Sequence, residues 1–150
     1  MARRRPAGKK KSVLFICTHN AARSQMAEAF TRKLLGDRWE AASAGSSPTA
    51  VNPLVVRMMA EAGVDISGAR SKSVEEFRGR RFDAVVTLCD RAKESCPFFP
   101  TPGERIHRSF DDPSALRGSE EELLRELRRI RDEIRAWVLE RFGGGGKAGR

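Results

Sequence analysis

The residues Cys17-Thr18-His19-Asn20-Ala21-Ala22-Arg23-Ser24 carry the first chemistry in this chain. A cysteine, five residues and an arginine follow the apolar run Val13-Leu14-Phe15-Ile16 and precede a helix-like pattern, with nothing bulkier than histidine in between. A loop of that kind, bent between a strand and a helix start, turns the backbone N–H groups of Thr18, His19, Asn20, Ala21 and Ala22 and the positive helix end toward one point, where an oxyanion binds. Arg23 can grip two oxygens of a tetrahedral anion with its planar fork. The same positive surroundings favour the thiolate of Cys17, a nucleophile at the floor of the pocket. Ser24 is placed to hydrogen-bond that thiolate or to cap the helix. A lone cysteine ending a buried strand is ordinarily a small hydrophobe; the strand before and the helix after tip the reading toward a nucleophile.

Two further pieces lie later in the chain. Asp112 precedes Pro113, which biases it toward an extended loop conformation. A carboxylic acid there can protonate a leaving oxygen, and Asp111 is its competitor. Cys89 and Cys96 stand in a proline-containing stretch, and their spacing permits a disulfide if the loop curls. A metal site lacks ligands, because no C-x-x-C occurs and His19 and His107 are isolated, so neither a metal nor a cofactor is expected.

These residues need a frame. Ser12–Cys17 reads as a buried strand and 24–35 as a helix with Met26, Ala27, Phe30 and Leu34 on one face. A second strand is expected over 39–44. A helix follows, opened by Asn52-Pro53 and stopped by Gly63. Strands are expected again over 83–88 and 104–110, separated by a loop over 89–103. Ser119 and Glu122 form a capping box for a long helix to Phe142, with Leu123, Leu127, Ile130, Ile134 and Trp137 as its apolar stripe. Alternating strands and helices predict an α/β domain on a small central four-stranded parallel sheet flanked by helices. Ligands bind at the carboxyl ends of such strands. The Cys17 loop, the Cys89 loop and the Asp111-Asp112-Pro113 turn each follow a strand and can meet there.

The chain has 150 residues, enough for one domain with a proper core, and its net charge is +9. Six of the positive charges lie in residues 1–11 and two in 143–150, so the body over 12–142 carries +1. The two ends read as a basic disordered arm and a Gly-rich disordered tail, leaving a single catalytic domain over 12–142. A nearly neutral body argues against nucleic acid as the main partner. No apolar stretch approaches the ~18 residues of a membrane span. The charged N-terminus lacks the apolar core of a secretory signal. A cytoplasmic, monomeric protein with no membrane partner is expected, in which cysteines serve catalysis or redox chemistry.

With these residues in view, the chain resembles the thioredoxin-coupled arsenate reductases built on the low-molecular-weight tyrosine-phosphatase fold. The resemblance is carried by Cys17 to Ala27, Ser43-Ala44-Gly45, Asn52-Pro53, Val64-Asp65-Ile66-Ser67, Val85 to Cys89, Cys96-Pro97, Phe110 to Pro113 and Arg131-Asp132-Glu133-Ile134. It implies that Cys17 attacks arsenate, that Arg23 clamps the oxyanion, and that Asn20 and Ser24 shape the loop. It further implies Asp112 as the general acid, Cys89 as the second thiol, Cys96 as the third, and thioredoxin as the electron donor, with phosphate or sulfate as analogues of arsenate. His19 stands where a glycine is common, and Ala21-Ala22 where serine and cysteine are common. Potassium-binding members place a threonine and an aspartate near the positions of Arg70 and Lys72, so two cations replace them and no potassium site is expected. A phosphatase of the same fold is the alternative. It leaves Cys89 and Cys96 without a task, and Ser114-Ala115 follow Asp112-Pro113 where phosphatases usually carry aromatic residues.

Overall fold

β1 (Lys11–Cys17) is the centre of the molecule because its side chains are apolar on both faces. Val13, Leu14, Phe15 and Ile16 are all fully buried, as a strand covered on two sides requires. A computed structural model describes residues 10–90 and 98–143. Cys96, most of the basic arm and most of the Gly-rich tail therefore lie outside the described residues.

β1 pairs in parallel with β2 (Trp39–Gly45) on one side and β3 (Ala84–Thr87) on the other, and β3 pairs in parallel with β4 (Glu104–His107). The order β2-β1-β3-β4 confirms the expected four-stranded parallel sheet. After β2 the chain returns to the opposite side of β1, so the loops leaving β1 and β3 part at their carboxyl ends. That reversal is where a ligand crevice forms in an open α/β sheet.

Val13 and Phe15 face one core with Met26 and Phe30 of α1 (Arg23–Leu35), Val55, Met58 and Met59 of α2 (Pro53–Glu61), and the inner face of α3 (Glu120–Phe142). Leu14 and Ile16 face a smaller core closed by Phe77, Phe82 and Phe99. Phe77 ends a 3-10 turn, Val74–Phe77, which carries no helical period in the sequence.

Local chemistry sets the element ends. Asn52 caps α2 through its side chain, with Pro53 at the first turn, and Gly63 takes a positive φ of 81° just beyond it. β1 begins at Lys11, one residue inside the stretch expected to be disordered, and β4 ends at His107 rather than at Phe110. At the other end, Arg38 donates to the Gly143 carbonyl, which fixes the first residue of the expected tail. The α3 stripe is Leu124, Leu127, Ile130, Ile134, Val138 and Phe142. Leu123 and Trp137 flank it half-buried, because a 3.6-residue period carried outward from Leu127 and Ile134 reaches Leu124 and Val138 instead. Among the described residues no helix is long and apolar enough to cross a membrane.

The α3 capping box is present. The Ser119 hydroxyl accepts from the Glu122 N–H, and the Glu122 carboxylate accepts from the Ser119 N–H at 2.8 Å. Those bonds from Ser119 hold the Glu122 carboxyl below its ordinary value of 4.5. A lowered folded-state value stabilises the protein above the ordinary value, and the benefit disappears as pH falls through the folded one. Glu122→Gln should therefore be less stable than the parent in urea melts at pH 7, and the two should converge in acid once the pH has fallen through the lowered folded-state value.

Candidate active site

The loop between β1 and α1 is held open by its carbonyls. The Thr18 carbonyl accepts from the Ser47 N–H at 2.9 Å, His19 from Thr49 at 3.2 Å, and Ala21 from Asn52 at 3.0 Å. The Asn20 carbonyl accepts from the Ser71 hydroxyl at 2.8 Å and from the Gln25 amide at 3.1 Å. Across a trans peptide the N–H points opposite to the C=O. Turning these four carbonyls outward therefore turns the amides of His19, Asn20, Ala21 and Ala22 toward the space above Cys17. Ala22 is the N-cap of α1 and supplies no side-chain cap, so the helix end contributes its N–H groups to the same space.

Asn20 is the pivot. It is the one non-glycine residue with positive φ, 52°, among the described residues, a conformation asparagine tolerates. Its buried side chain is fully paired. Nδ2 donates to Ser24 Oγ at 2.7 Å and to Ser43 Oγ at 3.0 Å, while Oδ1 accepts from Lys72 N at 2.8 Å and Gln25 Nε2 at 2.9 Å.

Ser24 Oγ lies 2.9 Å from Cys17 Sγ. Because that oxygen already accepts from Asn20, its own hydrogen is available to a thiolate, which can only accept. Of the two expected roles for Ser24, the structure places it beside the sulfur, since Ala22 stands at the cap position. The chain of bonds runs on from Ser43 Oγ to Glu28 Oε1 at 2.6 Å, with Lys72 Nζ at 3.5 Å from the same oxygen. Glu28 and Lys72 are 12% and 16% exposed, so this pair lies behind the loop rather than on the surface. Only one of the two expected cations points there. The Arg70 guanidinium turns outward to Glu76 at 2.7 Å, and its carbonyl instead accepts from Lys72 Nζ and Gln25 Nε2.

Arg23, 4% exposed, crosses from the first turn of α1 to the segment after β4. Nη1 donates to the Phe110 carbonyl at 3.2 Å, and Nη2 lies 3.6 Å from Asp112 Oδ1. The Asp112 side chain is 28% exposed, accepts from the backbone and hydroxyl of Ser114, and caps the 3-10 turn Pro113–Ala115. Asp111 turns the other way, to Arg129 on α3 at 2.9 Å. Between the two neighbouring acids the geometry thus puts Asp112 at the pocket.

Cys17, His19, Ala22, Arg23, Asn52 and Asp112 line a cavity of about 50 Å3. With liquid water occupying ~30 Å3 per molecule, this is room for a small inorganic anion. None of its described lining residues is phenylalanine, tyrosine or tryptophan. Cys17 is buried with a free thiol. Leu88 N donates to the Ile16 carbonyl at 3.0 Å, so Cys17 and Cys89 leave neighbouring strands at the same sheet edge. Cys89 is disulfide-bonded. Among the described residues no group of three or more His, Cys, Asp or Glu side chains could hold a metal.

Residues 12–142 match the family model described as low molecular weight phosphotyrosine protein phosphatase. The chain belongs to that family. Curated relatives 39–46% identical to this chain are arsenate reductases, and the low molecular weight protein tyrosine phosphatase from T. tengcongensis is 25% identical with a TM-score of 0.63, over 86% of this chain and 95% of that one. The chain is 46% identical over 125 residues to the arsenate reductase of Halalkalibacterium halodurans, covering 83% of this chain and 90% of the relative. The crystal structure of an arsenate reductase from Archaeoglobus fulgidus is 32% identical, with a TM-score of 0.66, over 84% of this chain and 98% of that one. The Corynebacterium glutamicum thioredoxin-dependent arsenate reductase is 30% identical, with a TM-score of 0.59, over 90% of this chain and 65% of that one. The resemblance read from the motifs to the arsenate reductases of this fold holds over the body of the chain.

The sequence did not reveal the braces Ser47, Thr49 and Ser71, nor the bonds of Gln25, because most of their bonds to the loop involve backbone groups whose residue type leaves no signature. One glycine does report the closeness. A Cβ added at Gly45 would meet the Thr18 carbonyl oxygen at 2.5 Å and the Cys17 oxygen and Asn20 nitrogen at 2.9 Å, whereas one at Gly68 meets open space. Gly45→Ala should cost about 1–3 kcal/mol of stability and weaken phosphate binding at least roughly tenfold by calorimetry, while Gly68→Ala should leave binding unchanged.

Proposed function

We propose that this protein reduces arsenate to arsenite, with Cys17 as nucleophile and with oxidation passed from Cys17 to Cys89 to Cys96 and on to thioredoxin. The carrying observation is the pairing of a free Cys17 at the floor of an anion-sized cavity, facing Arg23 and Asp112, with a disulfide-bonded Cys89 leaving the neighbouring strand. The curated arsenate-reductase relatives support the same reading.

The Cys17 thiolate attacks arsenic(V), and one arsenic–oxygen bond breaks. Asp112 gives its proton to the departing oxygen, which leaves as water. The amides of the loop and the Arg23 fork hold the remaining oxygens as negative charge builds on them. The Cys89 thiolate then attacks Cys17 Sγ. The sulfur–arsenic electron pair stays on arsenic, arsenite departs, and a Cys17–Cys89 disulfide remains. Cys96 attacks Cys89, freeing Cys17 and leaving a Cys89–Cys96 disulfide for the thioredoxin dithiol. Exchange of this kind moves oxidation out of a pocket that a protein reductant cannot enter.

A phosphatase using Cys17, Arg23 and Asp112 in the same way is the second reading, favoured by the family as a whole. The absence of phenylalanine, tyrosine and tryptophan among the described residues of the cavity and the bonded state of Cys89 weigh against it as the main activity. The body is read as a monomeric cytoplasmic enzyme whose basic arm and Gly-rich tail take no part in the chemistry.

The cysteine variants separate the two readings. Cys17→Ser should lose both arsenite production and hydrolysis of small aryl phosphates. Cys89→Ser should keep slow aryl phosphate hydrolysis and lose arsenite production. Cys96→Ser should release about one arsenite per enzyme and then stall with thioredoxin as donor. Full multiple turnover of arsenate in both Cys89→Ser and Cys96→Ser contradicts the relay. The Lys72 ammonium beside Glu28 also predicts that potassium chloride changes arsenate affinity no more than choline chloride at equal ionic strength.

A further inference from the structure

The segment that carries Asp112 is gripped from two sides, and the two grips differ in a way the chemistry makes important. On the pocket side Arg23 donates to the Phe110 carbonyl and stands 3.6 Å from the Asp112 carboxylate. That grip on Asp112 weakens when it is needed. A bound oxyanion competes for the same guanidinium, and an Asp112 that is to donate a proton must be neutral, which removes its attraction to Arg23.

On the outer side Arg129 Nη2 donates to Asp111 Oδ2 at 2.9 Å. The guanidinium is already oriented by its own helix. Nε donates to Glu126 at 3.0 Å and Nη1 to Glu133 at 2.9 Å, three residues before it and four after. An arginine whose fork is fixed in this way loses little further freedom on meeting Asp111, unlike an isolated surface pair. The three carboxylates raise the Arg129 pKa above its ordinary value, with Asp111 the largest contributor. This contact touches neither the anion nor the acid proton, so it persists through the reaction. α3 is itself tied down, since Arg131 donates to the Met58 carbonyl of α2 at 2.9 Å.

We propose that Arg129 is a positioning residue for the acid step, and that its ion pair with Asp111 latches the 110–114 segment to α3 so that Asp112 keeps its place once Arg23 is engaged by the anion. This rests on the acid role proposed above for Asp112.

The test uses kcat/KM for aryl phosphates whose leaving groups span a wide range of basicity, because a poor leaving group needs the proton and a good one does not. Asp112→Asn tests the underlying role and should show a steep dependence on leaving-group basicity where the parent is flat. Arg129→Met and Asp111→Asn should show a partial version, with a loss of roughly tenfold for phenyl phosphate and less than about threefold for 4-nitrophenyl phosphate. Their double variant should be no worse than either alone, and Arg129→Lys should restore most of the loss. Arg128→Met is the matched control. That side chain is also 41% exposed and makes two 2.8 Å bonds to Glu61, away from the pocket, so the dependence should stay flat. A steep Asp112→Asn with a flat Arg129→Met overturns the latch while leaving the acid role standing. A loss in Arg129→Met that is equal for all leaving groups, or matched by Arg128→Met, also overturns it.

Discussion

Everything at this site depends on which way four peptide groups face. The carbonyls of residues 18–21 are bonded to a frame built from residues 47, 49, 52 and 71, with Gln25 added from α1. Left to itself a loop of this length satisfies carbonyls and amides with water in whatever orientation is cheapest. Here the carbonyls are occupied behind the loop, and the amides are left converging on one point. In the proposed function an anion at that point completes their hydrogen bonding, and the loop is organised for it before it arrives. The positive φ of Asn20 and the lack of a side chain on Gly45 are local conditions for this arrangement: one lets the chain turn, the other lets the frame approach.

Charge is then added in layers. Arg23 brings a buried cation to the mouth of the loop. Behind the loop, Asn20, Ser24 and Ser43 connect the sulfur to Glu28 and Lys72 through hydrogen bonds of 2.6–3.0 Å and a final contact of 3.5 Å. Members of such a network orient one another, so removing one leaves several buried polar groups unpaired. Asp112, the acid in the proposed mechanism, lies outside this network, on the 110–114 segment, and is therefore the part of the proposed site that most needs support from elsewhere in the fold. In the proposed latch α3 gives that support through the ion pair of Arg129 with Asp111.

Much of this was legible in the residues. Cys17 through Ser24 announced the loop because strand and helix patterns flank it directly. Ser119 with Glu122, and Asn52 with Pro53, announced helix starts because capping is local chemistry. β1 followed from its apolar run Val13–Ile16. What could not be read depends on distant partners. Asp111 and Asp112 are neighbours of the same type, and Arg129 on another element is what turns Asp111 away while Asp112 lines the cavity. Arg70 and Lys72 both looked like cations for one site, yet Glu76 draws the first outward while Glu28 holds the second in. The α3 stripe was displaced at its ends because Leu123 and Leu124 are both apolar, and packing rather than type decides between them. The frame that braces the loop left little trace because most of its bonds run through backbone.

The central claim is that arsenate takes two electrons from the chain's own thiols. Thiol counting across a single turnover tests it most directly. Fully reduced enzyme is mixed with excess arsenate without any external reductant, quenched with an alkylating agent, and assayed for arsenite and for labelled cysteines by peptide mass spectrometry. The account predicts one arsenite per enzyme, a label on Cys17 alone, and Cys89 linked to Cys96. Three labelled cysteines and no arsenite would contradict it.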